Sequence, residues 1–367
     1  MLKINHIIKK VNQDYRLIAI SDIHSHLDRF KSLLERVHYQ KGDYLVIVGD
    51  FVEKGTQTLQ TIRYLKQLQQ ESNRVFVLLG NCEYAIETLI NDQRYASQMM
   101  HYVSHIGKSG MIDQALTALK LDRKADPHYL QKQVQTYLKP YLDYLHTLPL
   151  SLHFNEFLFI HAGIEKRTDW YNGSLSSMIE TKTFYQDGHC LNDYVVVGHL
   201  PTSNQYQNKI DNHIIINNEK RIICLDGGTG VKMISQMNAL VVESKNHKLT
   251  LKKEYVQPFP IYEVTHSVSI NSKHVHKIAW PHFEVEILKQ GQEFSLCKQI
   301  DTQAIFPIKN EFLYYKNNKA YCLDDYIDCF LSVNKGDKIR IAGIYGHYAY
   351  GICHNDVGWI PFEYIKK

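Results

Sequence analysis

Six polar side chains of the kinds that bind metal ions occur where short apolar runs of the sequence end. In chain order they follow, or lie within, the runs RLIAIS, YLVIVG, VFVLLG, FLFIHAG and YVVVGH, and they are Asp22, His24, Asp50, Asn81, His161 and His199. Continuous apolar runs are typical of strands buried on both faces, and open α/β sheets bind ligands at the carboxyl ends of such strands. These six residues therefore predict ligand-binding side chains gathered at one sheet edge.

Each residue alone also has an ordinary structural interpretation. An Asp after a strand commonly caps the next helix, and a single His is more often a satisfied surface or core residue. Those structural interpretations do not explain several carboxylate, amide and imidazole groups close together, because burying such a cluster needs a cation to neutralise and organise it. Taken together, the six residues indicate a metal site.

Composition excludes several other classes of protein. The 367 residues are 44% hydrophobic and 22% charged, which is typical of a globular protein of two domains. The net charge is +4 with dispersed Lys and Arg, so no nucleic-acid surface is indicated. Seven Cys without a C-x-x-C pair predict neither disulfides nor a zinc knuckle, and favour a reducing, cytoplasmic location. The absence of a leader-like or roughly 18-residue apolar stretch predicts a soluble chain without a membrane partner.

The order of patterns along the chain is β-α-β-α-β, followed by a helical insertion over 84–148 in which Pro140 is expected to kink or restart a helix. Two prolines in QPFPIYEV suggest a boundary near 256–262, after which strand patterns with polar turns continue. We therefore predict an α/β catalytic domain over 1–255 and a β domain over 262–367.

Five motifs in order resemble those of the calcineurin-like metallophosphoesterases: SDIH, GDFVEKG, GNCE, HAG and GHLPT. The resemblance implies a two-layered β-sandwich flanked by helices (αββα) and two divalent metal ions, with Mn favoured and Fe or Zn as alternatives. It implies that Asp22 and His24 bind the first ion, that Asp50 bridges both, and that the second ion is bound by Asn81, His161 and His199. Two such ions lower the pKa of a shared water, which would attack phosphorus as hydroxide.

Within this superfamily, GDFVEKG and GHLPT are similar to motifs of the serine/threonine phosphoprotein phosphatases and the bacterial dinucleoside-tetraphosphate hydrolases. An Asp-Arg pair of the phosphatases corresponds here to Glu53 and Lys54, and their phosphate-contacting His corresponds to Cys82. The resemblance implies catalytic roles for Asp50, Glu53, Lys54 and Cys82, and substrate contacts from Lys54, Asn81 and Cys82. It also implies a supporting role beside the metals for Glu83, and either such a role or that of a turn residue for Asp226.

Cys82 is an informative difference between this sequence and the phosphatase motifs. A thiol is a weak substitute for an imidazole paired to a carboxylate, and losing a general acid typically costs roughly 10² to 10⁴ in rate. That loss weighs most on alkoxide leaving groups such as serine or threonine. We interpret Cys82 as a change of chemistry; the alternatives are a metal ligand, a redox-active thiol or a packing residue.

Three functions follow from these patterns. The favoured one is a serine/threonine-type phosphoprotein phosphatase acting on a phosphorylated protein or a small phosphorylated metabolite. The first alternative is a nucleotide or dinucleoside polyphosphate hydrolase or phosphodiesterase. The second, of another class, is a scaffold with a weak or vestigial phosphatase site.

The scaffold alternative rests on the end of the chain. Residues 334–365 resemble an SH3-like barrel with a G-W-I-P-x-x-Y-I ending, in which Trp359, Pro361 and Tyr364 would line a groove for a peptide partner. Packing of the same three residues is the interpretation that we favour.

Overall fold

The computed structural model describes residues 5–105, 107–270 and 275–367, and the chain forms two compact units. The first unit is assembled from Met1–Pro201, His213–Val231 and Gln236–Val256. The second is assembled from Thr202–Asn212, Lys232–Ser235 and Gln257–Lys367. Each unit is therefore discontinuous in sequence, and the predicted ranges 1–255 and 262–367 stay a prediction about domains.

Two sheets form the first unit. Its strands are β1 His6–Lys9, β2 Tyr15–Ile20, β3 Tyr44–Ile47, β4 Val75–Val77, β5 Ser151–Phe154, β6 Phe157–Ile160, β7 Tyr194–Val197, β8 Ile215–Asn217, β9 Ile222–Cys224, β10 Met237–Lys245 and β11 Lys248–Val256. One sheet has the order β1-β5-β6-β7-β9-β8 and the other has the order β11-β10-β2-β3-β4. Strands β2, β3 and β4 run parallel to one another, as do β6, β7 and β9, so each sheet gathers three carboxyl ends on one edge.

Alternate residues of these strands belong to two different cores. In β2, Leu17 and Ala19 join a cluster with Phe159 and Val196 of the other sheet, which is the layer between the two sheets. The intervening Ile18 packs into a separate cluster with the helices. Strands buried on both faces need apolar residues at every position, which explains the continuous apolar runs. The predicted α/β sandwich flanked by helices is confirmed.

The helices are α1 Leu27–Arg36, α2 Thr58–Glu71, α3 Asn81–Asn91, α4 Ala96–His105, α5 Met111–Ala118, α6 Pro127–Leu145, α7 Leu175–Ile179 and α8 Phe184–Asp187. The helical insertion consists of α3 to α6. Helix α6 runs through Pro140 without restarting; its start is fixed by Asp126, whose side chain accepts a hydrogen bond from the Tyr129 N–H, and by Pro127 in the first turn. Across the described ranges, no helix combines the length and apolarity that a membrane crossing requires.

The second unit is built from strands. They are β12 Ile261–Val264, β13 Lys277–Ile278, β14 Glu284–Lys289, β15 Phe294–Gln299, β16 Ile305–Lys309, β17 Leu313–Lys316, β18 Lys319–Cys322, β19 Tyr326–Ile327, β20 Lys338–Tyr345, β21 Tyr348–Cys353, β22 Asp356–Pro361 and β23 Ile365–Lys366. They form sheets with the orders β22-β21-β20-β12-β23, β16-β15-β14-β18-β17 and β13-β19. The prediction of an all-β C-terminal region is confirmed, and its SH3-like identity stays a prediction.

Trp359 lies inside the second unit. Its ring is fully buried and packs against Phe312, Tyr326 and Tyr350. Its indole N–H donates to the Ile327 carbonyl at 3.0 Å. A side chain enclosed in this way is not available to line a peptide groove, in agreement with the packing interpretation.

Two short segments from the middle of the chain complete the core of the second unit. Ile210 and Ile234 join the apolar cluster that contains Trp359. Lys232 and Asp325 form a buried ion pair at 2.6 Å, and Asp325 also accepts from the Ser203 hydroxyl at 3.2 Å. A buried charge of this kind depends on its partner, so the ion pair ties one of the two segments to the C-terminal strands.

We expect Asp325→Asn to lower the free energy of unfolding of the second unit by about 3–5 kcal/mol, because the buried Lys232 ammonium loses its counter-charge. The matched control is Lys338→Met, which breaks the exposed ion pair with Glu263 and should cost at most about 1 kcal/mol. Urea unfolding followed by tryptophan fluorescence measures both variants. Equal effects of the two substitutions would contradict this account of the buried pair.

Candidate functional site

The six predicted ligands lie at the edge where the carboxyl ends of the parallel strands meet. In one sheet, Asp22 and His24 follow β2, Asp50 follows β3 and Asn81 follows β4. In the other sheet, His161 follows β6 and His199 follows β7. Asp226 follows β9 in the same way. The structure therefore brings all six predicted side chains together. Four of them, Asp22, His24, Asp50 and His161, are buried, and Asn81 and His199 are partly buried.

The backbone is unusual at this edge. The φ angle is +52° at Asp22, +46° at His24, +50° at Asp50 and +67° at His199. Non-glycine residues rarely adopt this left-handed conformation, which costs of order 1–3 kcal/mol per residue and concentrates at functional sites. Four of the six predicted ligands are thus held in conformations that their own backbone disfavours.

Several lone pairs converge around Asn81. The Nδ1 atom of His161 lies 2.8 Å from the Val48 carbonyl, which can only accept, so Nδ1 carries the proton. The other ring nitrogen, Nε2, lies 3.0 Å from Asn81 Oδ1 and 3.3 Å from Asp50 Oδ1. Nδ1 of His199 lies 2.8 Å from the same Asn81 oxygen. Burial, then His161, lowers the pKa of His199 to about 4, so this ring is neutral at pH 7.

A second group of donors surrounds His24. Its Nε2 atom lies 3.7 Å from Asp22 Oδ1 and 3.9 Å from Asp50 Oδ2. Burial, followed by the nearby Lys54 ammonium, lowers the pKa of His24 to about 3, so its ring is neutral as well. The two carboxylate oxygens of Asp50 thus face different groups, Oδ1 toward His161 and Oδ2 toward His24.

The donors in both groups suit divalent cations. Within the described residues, the buried Asp22 Oδ1 has no hydrogen-bond partner. Burial and the carboxylates of Asp226 and Asp50 raise the pKa of Asp22 well above its ordinary value. A buried carboxylate oxygen that receives no hydrogen bond is costly, and a cation beside Asp22 Oδ1 would remove that cost. Groups of Asp22, Asp50 and His161, and of His24, Asp50 and Cys82, each lie close enough to hold an ion.

Glu83 fixes the loop that carries Asp50. Its Oε2 accepts from the backbone N–H groups of Asp50 and Gly80, each at 2.9 Å. Its Oε1 accepts from the N–H groups of Phe51 at 2.9 Å and Val52 at 3.0 Å. One buried carboxylate therefore satisfies four backbone donors and joins the GDFVEKG loop to the GNCE turn.

Glu53 does not face the metal-ligand groups. Its carboxylate accepts from the Tyr102 hydroxyl and from the Met111 N–H, both at 2.7 Å, so the helical insertion holds it. Lys54, the next residue, directs its Nζ to 3.2 Å from His24 Nε2. Both residues have positive φ, +64° and +61°. Glu53 is therefore placed to orient the loop and Lys54 to bring a positive charge to the site.

Sequence reasoning missed Tyr102, Gly110 and Met111. They belong to the helical insertion, whose pattern indicates helices but not which residue turns toward Glu53. A Cβ added at Gly110 would lie 2.1 Å from Glu53 Oε2, so only glycine allows this approach. Asp226, for which a supporting role or a turn role was predicted, accepts from the Gly228 N–H at 2.7 Å and acts electrostatically on Asp22.

Comparison with known proteins matches residues 15–224 to the family model described as calcineurin-like phosphoesterase. The chain belongs to the calcineurin-like phosphoesterase family. The matched residues include all six predicted metal ligands, Glu53, Lys54 and Cys82. Members of this family act with divalent metal ions, which agrees with the donor groups described above.

Among curated relatives, the symmetrical bis(5'-nucleosyl)-tetraphosphatase of Buchnera aphidicola subsp. Acyrthosiphon pisum (strain Tuc7) is 32% identical over 111 residues, which is 29% of this chain and 39% of that protein. The protein of the same name from Vibrio parahaemolyticus is 26% identical over 151 residues, which is 41% of this chain and 45% of that protein. The matches thus span less than half the length of these relatives.

Solved structures of phosphatases are similar at lower identity. A serine/threonine phosphatase from Saccharomyces cerevisiae shares 11% identity and a TM-score of 0.40, over 70% of this chain and 85% of that one. A metallophosphoesterase from Sphaerobacter thermophilus shares 14% identity and a TM-score of 0.38, over 66% of this chain and 89% of that one.

We expect Glu83→Gln to lower the free energy of unfolding by about 3 kcal/mol or more, because an amide cannot accept from four N–H groups and its own NH₂ opposes two of them. Affinity for Co²⁺, measured by isothermal titration calorimetry, should fall with it, since Asp50 loses its support. Glu35→Gln, an exposed position on α1, is the control. Unchanged affinity in Glu83→Gln would show that the loop holds its form without this carboxylate.

We expect Gly110→Ala to displace Glu53 and to lower the free energy of unfolding by about 1–3 kcal/mol, because the new methyl group overlaps the carboxylate. The same displacement should weaken inhibition by orthophosphate, since Lys54 is adjacent to Glu53 in the loop. Gly42→Ala, where no atom lies within 4 Å of the added Cβ, is the matched control. Wild-type stability and inhibition in Gly110→Ala would contradict the contact between Glu53 and the insertion.

Proposed function

We propose that this chain is a binuclear metal-dependent phosphoesterase. The observation that carries the proposal is the convergence of three imidazole rings, buried carboxylates and the Asn81 amide oxygen at one sheet edge, where Asp50 presents one oxygen to each group. Asp22, His24 and Asp50 would bind the first ion. Asp50, Asn81, His161 and His199 would bind the second.

When bound, the two ions supply an activated water and neutralise charge on the phosphoryl oxygens. The residues of the chain orient the metal-binding rings and attract the substrate. Backbone carbonyl groups orient the rings of His161 and His24, at 2.8 Å from Val48 and 3.3 Å from Val52. Lys54 brings an ammonium group to the same edge, where it would attract the phosphate of the substrate as a point charge.

The substrate that we propose is a dinucleoside polyphosphate. Position 82 holds a thiol, and the Glu53 carboxylate is occupied by Tyr102 and Met111. The described residues at these two positions therefore offer no imidazole paired to a carboxylate that could protonate an alkoxide leaving group. A nucleotide phosphate is a better leaving group that does not need a general acid. The names of the curated relatives, symmetrical bis(5'-nucleosyl)-tetraphosphatases, favour the same class.

This choice reverses the preference that the motifs alone suggested, which was a phosphoprotein substrate. The motif GDFVEKG resembles motifs of both classes of enzyme, whereas the contacts of Glu53 with Tyr102 and Met111 bear directly on its role in this chain. Those contacts remove Glu53 from the reacting atoms and give it a positioning role.

We expect kcat/KM for diadenosine tetraphosphate to exceed that for a phosphothreonine peptide by about 10²-fold or more, because only the peptide needs a general acid. Both substrates are assayed with protein loaded in turn with Mn²⁺, Fe²⁺ and Zn²⁺. Asp50→Asn should abolish most of the activity, and Asp143→Asn, on the exposed face of α6, should not.

Two results would contradict these proposals in different ways. A higher kcat/KM for the phosphopeptide than for diadenosine tetraphosphate would contradict the proposed substrate and favour a phosphoprotein phosphatase. Hydrolysis of both substrates no faster than in Asp50→Asn, with every metal, would remove the phosphoesterase proposal itself.

A further inference from the structure

The thiol of Cys82 is a group at the site that the proposed function does not use. Cys82 lies in the first turn of α3 and is buried. Its backbone N–H donates to Asp50 Oδ1 at 2.8 Å, and its Sγ lies 3.0 Å from Asp50 Oδ2. The sulfur is therefore fixed beside the carboxylate oxygen that faces His24, and not beside the one that faces His161.

The position of the sulfur completes a set of donors. Sγ of Cys82, a carboxylate oxygen of Asp50 and a ring nitrogen of His24 all lie within 4.8 Å of one another. Bonds of about 2.0–2.3 Å from one ion to nitrogen, oxygen and sulfur place neighbouring donors roughly 3 to 4 Å apart. The observed separations of 3.0 Å and 3.9 Å from Asp50 Oδ2 fall in this range.

Asp22 supplies an independent indication at the same place. Its Oδ1 is buried, lies 3.7 Å from His24 Nε2 and, among the described residues, has no hydrogen-bond partner. A buried carboxylate oxygen without a donor calls for a cation. Asp22 Oδ1 therefore adds a further ligand atom beside His24 Nε2, next to the group of His24, Asp50 and Cys82 that contains the sulfur.

We propose that Cys82 binds the first metal ion as a thiolate, together with Asp22, His24 and Asp50. The inference rests on the proposed function, because it concerns the same metal centre. In the binding step the S–H bond breaks, the proton leaves to solvent and a metal–sulfur bond forms, so no oxidation or reduction takes place. The sulfur then occupies a coordination position of the ion instead of donating to Asp50.

The proposal changes which metal the site prefers. Thiolate ligands select Zn and Fe, whereas sites made of oxygen and nitrogen alone accept Mn readily. The first position should therefore favour Zn²⁺ or Fe²⁺, and the second position, without sulfur, should not. Lys54 must withdraw from His24 Nε2 when an ion binds there, and its four-carbon side chain is flexible enough to turn toward the phosphate.

The test uses Co²⁺, because a cobalt–thiolate bond gives a charge-transfer band in the near ultraviolet that nitrogen and oxygen ligands do not give. The full-length protein is stripped of metal and loaded with two equivalents of Co²⁺, and bound cobalt is counted by elemental analysis. We expect the band in the wild type and its loss in Cys82→Ser. Cys224→Ser, at a buried cysteine at the end of β9, should keep the band.

Metal affinity gives a second measurement. We expect Cys82→Ser to weaken Zn²⁺ binding, measured by competition with a chelating dye, by about 10- to 100-fold. Its affinity for Mn²⁺ should change far less, since Mn²⁺ gains little from sulfur. Cys82→Ala, which leaves no donor atom in the same space, replaces the Ser variant if that variant does not fold.

The outcomes separate this inference from the proposed function. Wild-type protein that binds two Co²⁺ ions and hydrolyses the substrate without a charge-transfer band overturns the role of Cys82 and leaves the function standing. A band that persists in Cys82→Ser overturns it as well, because another cysteine then binds the ion. Wild-type protein that binds no Co²⁺ overturns both proposals.

Discussion

The four hydrogen bonds of the Glu83 carboxylate are the interaction on which the rest of the site depends. They gather the backbone N–H groups of Gly80, Asp50, Phe51 and Val52, which belong to two different strand ends. Buried N–H groups without acceptors are costly, so this turn of the chain needs a carboxylate at this point. Asp50, Glu53 and Lys54 take their positions from it. Glu83, the acidic residue of GNCE, thus has a structural role that does not depend on contact with a metal ion.

Backbone strain and close packing are concentrated at the same edge. The left-handed conformations of Asp22, His24, Asp50 and His199 raise the free energy of the folded chain, and the thoroughly buried strands behind them offset that cost. Gly198 shows how tight the edge is, because a Cβ there would lie 2.2 Å from Asp22 Oδ2. The carboxyl ends of the strands in the two sheets therefore lie close enough for side chains from both sheets to contact one another.

The sequence was sufficient to predict the buried strands, the helical insertion and the six polar residues at strand ends, because these leave local patterns, and the resemblance of five motifs to a known family implied the sandwich. It could not show that Glu53 faces the insertion. The partners Tyr102 and Met111 lie about 50 residues away in the chain, and helical periodicity does not identify which contact a helix makes across that separation. Pro140 was expected to kink or restart a helix, and α6 continues through it without restarting, because packing of the apolar residues on its other turns outweighs the one missing hydrogen bond.

The discontinuous units have a consequence for the order in which the protein is made. Ile210 and Lys232 leave the ribosome well before Asp325 and Trp359, the residues that cover or neutralise them in the second unit. At about 5–20 residues per second, the 93 positions that separate Lys232 from Asp325 take on the order of 5 to 20 s to synthesise. Until Asp325 has been made, the nascent chain carries Ile210 and Ile234 without the apolar residues that cover them, and Lys232 without its counter-charge. The core of the second unit can therefore be completed only after its C-terminal strands have been made, well after Ile210 and Lys232.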